Sequence, residues 1–170
     1  MKSDDRRSSL QKSGWLAHSA RIAVASAASF AIAQLFNMPE SYWAAVTSII
    51  VMESTLGAAW AVSRVRLVGT ALGAAAGGAL ATFVNPGAVI FGAAIFALGL
   101  LCAVLRLDRS AYRFAGITLA IVALVARGNA PWVIAVHRFV EVALGIAVAL
   151  VITALWPARD LSDPPYSKMK

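Results

Sequence analysis

Apolar residues run through this chain in stretches of about 20, each closed by a short cluster of turn-forming residues; a helix needs roughly 20 such residues to cross about 30 Å of hydrocarbon. The pattern predicts six transmembrane helices, at residues 15–36, 41–56, 65–84, 88–105, 112–126 and 131–156. The breaks carry turn chemistry: Asn37-Met38-Pro39, Asn85-Pro86-Gly87 and Gly128-Asn129-Ala130-Pro131. Pro131 suits the first turn of a helix, where its missing N–H costs nothing. The expected fold is an all-α integral membrane bundle of six helices in three hairpins. It is flanked by tails at 1–14 and 158–170, with the membrane domain at 15–157. The stretch before the first apolar run is long and contains Asp4 and Asp5, unlike a signal peptide, so the first helix is expected to be retained.

Charge sets the expected orientation. Of 15 Lys and Arg residues, twelve fall in the N-terminal tail, the connections after helices two and four, and the C-terminal tail. Only Arg127 falls on the opposite side, and Arg21 and Arg138 lie within spans. Cytoplasmic loops carry the excess of Lys and Arg, so both termini are expected to be cytoplasmic and the Asn/Pro turns external. Trp43 and Trp132 follow two of those turns, where aromatic belts form. Arg21, Arg66 and Arg113 each precede or open an odd-numbered helix, which suggests a threefold hairpin repeat in one orientation.

Composition narrows the class. Hydrophobic residues make up 60% of the 170, charged residues only 14%, and mean hydropathy is +0.76. So short and apolar a chain has no way to hide its side chains in one water-soluble core. A soluble enzyme and a nucleic-acid module are thereby excluded, and the net charge of +7 is read as orienting the chain in a bilayer. The single cysteine, Cys102, offers no intramolecular disulfide and no cysteine-based zinc site. HExxH, a phosphate-binding Gly-Lys loop and a Ser-His-Asp set are all missing, so no enzyme, cofactor or metal is expected.

Two groups of residues stand out. Gly69, Gly73 and Gly77 repeat every four positions on one face of the third helix, and Gly145 lies on the sixth. Small residues in such stripes let backbones approach closely in lipid. Gly92 and Gly99 offer a second smooth strip. The other group is charged: Glu53, Arg138 and Glu141 sit at membrane depth, where each costs about 2.5–3.5 kcal/mol in lipid and must face protein or water. Counted from the outer ends of their helices at about 1.5 Å per residue, they lie about 18, 10 and 15 Å down, close enough to share a layer. Arg138 is then an anion-attracting group, and Glu53 or Glu141 a proton carrier. His137 and His18 are further proton candidates. Thr47, Ser54 and Thr55 give helix two a polar side, and Arg66 is either a headgroup anchor or part of a substrate path. The competing reading is structural: the charges pair and pin helix six to helix two, and the protein is a non-transporting membrane subunit.

Three segments carry a resemblance. They are Tyr42-Trp43-Ala44-Ala45-Val46-Thr47, Arg66-Leu67-Val68-Gly69-Thr70-Ala71-Leu72-Gly73 and His137-Arg138-Phe139-Val140-Glu141-Val142-Ala143-Leu144-Gly145, with Trp156-Pro157 closing the last helix. In this order they resemble the membrane half of the fusaric-acid-resistance and aromatic-acid-exporter proteins, over roughly residues 15 to 160. Plant malate channels look like distant relatives. The resemblance implies a six-helix bundle in a bacterial inner membrane that exports aromatic or other organic anions, with an anion channel as a variant. It carries functional weight onto Tyr42, Trp43, Thr47, Arg66, Gly69, Thr70, Gly73, Arg138, Glu141 and Gly145. The expected partners are the lipid bilayer, a small organic anion, protons and further copies of the chain, a homodimer first, with no nucleic acid.

Overall fold

The computed structural model describes residues 2–53, 55–84, 87–125 and 130–156, with side chains from residue 14 onward. Six helices follow one another: α1 (Lys2–Leu35), α2 (Tyr42–Val51), α3 (Leu56–Phe83), α4 (Ala88–Val104), α5 (Arg109–Val125) and α6 (Pro131–Leu155). Among the described residues there is no strand. Three helical stretches are long and apolar enough to cross a membrane: Gly14–Leu35, Leu56–Phe83 and Pro131–Leu155. The expected tail at 1–14 is helical from Lys2, continuous with α1.

The largest departure from expectation lies between helices two and three. The second helix stops at Val51, where Met52 turns extended at ψ 101°. The third starts at Leu56, nine residues before the expected 65. Thr55 fixes that start: its hydroxyl accepts from the Ala58 N–H at 3.2 Å, a side-chain cap that satisfies one of the otherwise orphaned first-turn donors. Arg64 and Arg66 therefore lie inside a 28-residue helix and not in a connection. Arg64 is exposed and Arg66 buried, because an α-helix turns two positions to opposite faces.

The packing follows small residues. A side chain at Gly69 would strike the carbonyl oxygen of Ala111, one at Gly73 that of Ala115, and one at Gly77 would meet Val122 Cβ at 2.9 Å and Leu119 Cα at 3.1 Å. The partner number rises with the glycine number at a constant step of 42, so α3 and α5 run parallel with their backbones in close contact. A side chain at Gly145 would likewise strike the Ala44 carbonyl and Thr47 Cβ. Glu40 and Glu141 meet, and so do Met52 and Thr153, each pair 101 positions apart, so α2 and α6 are also parallel. Gly92 faces open space, so the strip on α4 does not pack as the one on α3 does.

These pairings divide the chain into two halves of three helices instead of three hairpins. α3 packs on α5 and α6 and barely touches α4. Gly69 meets the first and fourth residues of Ala111–Phe114 as Gly145 meets those of Ala44–Thr47. The ends of α1 and α4 match too: Asn37 and Arg106 take the left-handed conformation (φ 51° and 53°). The next N–H then closes back five residues, Met38 to Ala33 and Leu107 to Cys102, a Schellman ending that satisfies a carbonyl of the last turn. Gly78 lies against Trp132, and Ala59 clusters with Ala149, so α3 and α6 are antiparallel. Three-helix halves arranged this way have inverted topology, as in many transporter folds.

Candidate functional site

The N-terminal end of α2 lies against the middle of α6, and there the charged residues meet. Arg138, on α6, is buried; its Nη1 lies 3.6 Å from Oε2 of Glu40 and 3.9 Å from Oε2 of Glu141. Its guanidinium stacks on the Trp43 ring, 3.3 Å from the centroid. The Glu40 backbone N–H donates to Oε1 of Glu141 at 3.1 Å. Gly145 creates the arrangement: with no side chain between them, α2 settles on α6 closely enough to bring the Pro39-Glu40 turn onto Glu141.

Arg66 reaches the same region from α3. Its Nη2 donates to the Thr47 hydroxyl at 3.0 Å, and its guanidinium lies 4.8 Å from the Phe114 ring centroid. Thr47 is fully buried and faces Gly145. Two arginines, two glutamates, one tryptophan and one threonine thus converge from α2, α3, α6 and the α1–α2 turn.

The site is loosely satisfied. Charge-assisted Arg–carboxylate hydrogen bonds run about 2.7–2.9 Å, and both contacts of Arg138 are longer. Arg138 Nη1, Arg66 Nε, Trp43 Nε1 and Glu141 Oε2 are buried without a hydrogen-bond partner. Three of these four are donors, which suits an arriving anion. The α1–α2 turn also borders an open cleft of about 500 Å³, lined by Phe30, Gln34, Asn37, Met38, Ser41 and Tyr42.

Several expected members fall elsewhere. Glu53 does not join the layer: at the constant offset of 101 it lies level with Ala154, 13 residues along the pair from Glu40, about 20 Å at about 1.5 Å per residue. Depths counted from each helix's own start misplace it, because α2 begins level with the middle of α6. His137 is exposed, on a different face from Arg138. His18 is half-buried on α1, and Thr55 is spent on its cap. Ser54 lies outside the described residues. Among the described residues no group of three His, Cys, Asp or Glu could hold a metal. Glu40 was not foreseen, since a carboxylate in a turn reads as solvated. No sequence signal marks it: the offset of 101 that puts Glu40 on Glu141 and Ala44 on Gly145 is set by the packing of α2 on α6.

Charged side chains buried among helices this long and apolar define a class, the helical membrane proteins. The comparisons give the family. Residues 27–152 match the family described as fusaric acid resistance protein-like, and this chain belongs to it. It is 32% identical over 151 residues to the inner membrane protein YeeA of Escherichia coli (strain K12), covering 85% of this chain. The chain spans 42% of the length of that relative. No solved structure matches.

Proposed function

We propose that this protein moves organic anions, aromatic carboxylates among them, outward across a bacterial inner membrane through the Arg66–Arg138 site. The observation that carries the reading is the set of unpartnered donors around Arg138: a guanidinium held by two contacts beyond hydrogen-bond length, beside a buried indole N–H and a second arginine that lacks a carboxylate partner among the described residues. An arriving carboxylate gains charge-assisted bonds there, and an aromatic ring has Trp43 and Phe114 to lie against. Glu40 and Glu141 balance the two arginines until the anion arrives, and a proton taken up on Glu141 frees Arg138 for it.

The proposed topology has six passes with both termini cytoplasmic, following the Lys and Arg bias. The proposed assembly is a homodimer, the commonest closed symmetry. Exposed apolar side chains such as Trp15, Phe96 and Trp60 then face lipid or the second copy.

Protein reconstituted in liposomes tests the reading, with efflux of benzoate, salicylate and malate followed in turn. The expected result is saturable flux that Arg138→Gln abolishes while the protein stays folded. The competing reading, a non-transporting subunit pinned by its ion pair, predicts no flux in the wild type.

A further inference from the structure

At the opposite end of the α2–α6 pair lies a second buried arginine that the Arg138 site does not use. Arg21, on α1, has no exposed surface. Its Nη2 makes two long contacts, 3.3 Å to the carbonyl oxygen of Glu53 and 3.7 Å to Met52 Sδ. Its Nε and Nη1 make no hydrogen bond. Among the described residues no carboxylate lies within ion-pair distance of it, the described ion pairs being those of Arg138. A full positive charge held this way is costly, since a buried charge without a partner destabilises a fold far more than a paired one stabilises it.

The surroundings suit an anion. Arg21 holds the α2–α3 junction by Glu53, two residues before the Thr55 cap of α3. The N-terminus of a 28-residue helix carries partial positive charge. Thr55 satisfies the Ala58 N–H, and the Ala59 N–H closes on the Thr55 carbonyl, so the N–H groups of Leu56 and Gly57 precede the first intrahelical bond. A side chain at Gly57 would meet nothing within 4 Å, and residues 55–58 are exposed, so the junction has both room and a way in. Met52 Sδ, which Arg21 touches, also accepts from the Thr153 hydroxyl at 3.3 Å and ties the junction to α6.

We infer that Arg21 and the first turn of α3 form a second anion site, for a monovalent carboxylate or halide, about 18 Å along the α2–α6 pair from Glu40 at about 1.5 Å per residue. It extends the anion path proposed above, but it stands on Arg21 and is tested where the Arg138 site has been removed. Glu53, half-buried beside it, is the side chain best placed to compete with the anion.

The test uses the full chain carrying Arg66→Gln, Arg138→Gln and Glu141→Gln, purified in detergent, with thermal unfolding followed by tryptophan fluorescence. Sodium benzoate and sodium chloride are titrated separately at matched ionic strength. A ligand that binds only the folded state raises the melting temperature by an amount that grows with the logarithm of its concentration once that exceeds the Kd. The expected result is such a rise, lost when Arg21→Gln is added and moved to several-fold higher concentration by Arg21→Lys. A rise with benzoate alone supports a carboxylate site, and a rise with both supports a general monovalent-anion site. Without anion, Arg21→Gln should melt no lower than its parent, because it removes an uncompensated charge. A lower melting point in that buffer means that Arg21 is already compensated by contacts within the chain, and overturns the inference. So does a rise that survives Arg21→Gln, or no rise with either salt. Failure of the Arg138 reading shows up separately, as wild-type flux that Arg138→Gln leaves intact.

Discussion

The backbone N–H of Glu40 donates to the carboxylate of Glu141 at 3.1 Å, although 101 positions separate them. That bond ties the α1–α2 turn to the middle of α6 and leaves Oε2 of Glu141 for Arg138. Removing the charge of Glu141 alone therefore has two effects: it keeps an acceptor for the Glu40 N–H, and it leaves Arg138 only Glu40. Glu141→Gln should fold, melt moderately lower than wild type, and lose any dependence of flux on pH between about 5 and 8 that proton uptake at Glu141 produces. Flux with an unchanged pH profile in this variant would exclude Glu141 as the proton carrier.

Arg138→Gln leaves Glu40 and Glu141 without their cation. Losing one partner of a buried pair costs roughly 3–5 kcal/mol in soluble proteins, so the melting temperature should fall clearly. Adding Glu141→Gln should recover most of that loss, because Glu40 is part-exposed and tolerates being unpaired better. Transport should stay absent in the double variant. Recovery of both stability and flux would mean that the pair is structural.

Trp43 supplies the ring under Arg138, and its Nε1 carries no hydrogen bond. Trp43→Phe keeps a π-face and removes the donor, whereas Trp43→Ala removes both. A desolvated cation–π contact contributes about 2 kcal/mol. The alanine variant should be clearly less stable, and the phenylalanine variant close to wild type. If the indole N–H meets the substrate carboxylate, Trp43→Phe should raise the KM for efflux with little change in melting temperature, measured side by side on one preparation.

Helix number, the turn after α1 and the burial of Arg138 and Glu141 were legible because they depend on local features. These are apolar run length, Asn and Pro at breaks, and the rarity of charge in apolar sequence. Register was not legible. Each helix start was treated as a common reference plane, and that assumption put Glu53 beside Arg138 and left Glu40 out. Only contacts between helices fix register, and here Gly145 on Ala44 and Gly69 on Ala111 set it. The break at Met52–Thr55 was missed for a related reason. Met52, Thr55 and Leu56 are compatible with a helix by composition, and the chain turns there because α2 packs on α6 while α3 runs back along it. The three arginines at similar spacing suggested a threefold hairpin repeat, but packing follows the small residues, and these mark two halves.

Orientation is checked by cysteine labelling in intact cells, in a chain whose Cys102 has been replaced. Single cysteines at Asn85 and Asn129 should react with an impermeant reagent, and those at Ser110 and Ser167 should react only after the membrane is opened. External labelling at Ser110 or Ser167 would refute cytoplasmic termini.

The glycine stripe makes a prediction that separates packing within the chain from packing between chains. Gly73 faces the backbone of Ala115 so closely that any side chain must push α5 away from α3. Ala75, two residues on, is exposed. Overpacking a tight contact costs about 1–3 kcal/mol, and here the obstacle is main chain, which has no rotamer to yield. Gly73→Leu should therefore lower the melting temperature of the protein in detergent whatever its oligomeric state, and Gly145→Leu should do the same by lifting α2 off α6. Ala75→Leu should leave the melting temperature near wild type, since its side chain points away from both partners. The Gly145 variant should also lose flux at temperatures where it is still folded, because Glu40, Trp43 and Thr47 move with α2, away from Glu141, Arg138 and Arg66. Melting curves and benzoate efflux measured on the three variants decide the matter. Equal stability for Gly73→Leu and Ala75→Leu would remove the close contact of α3 with α5, and flux retained in a folded Gly145→Leu protein would detach transport from the α2–α6 register.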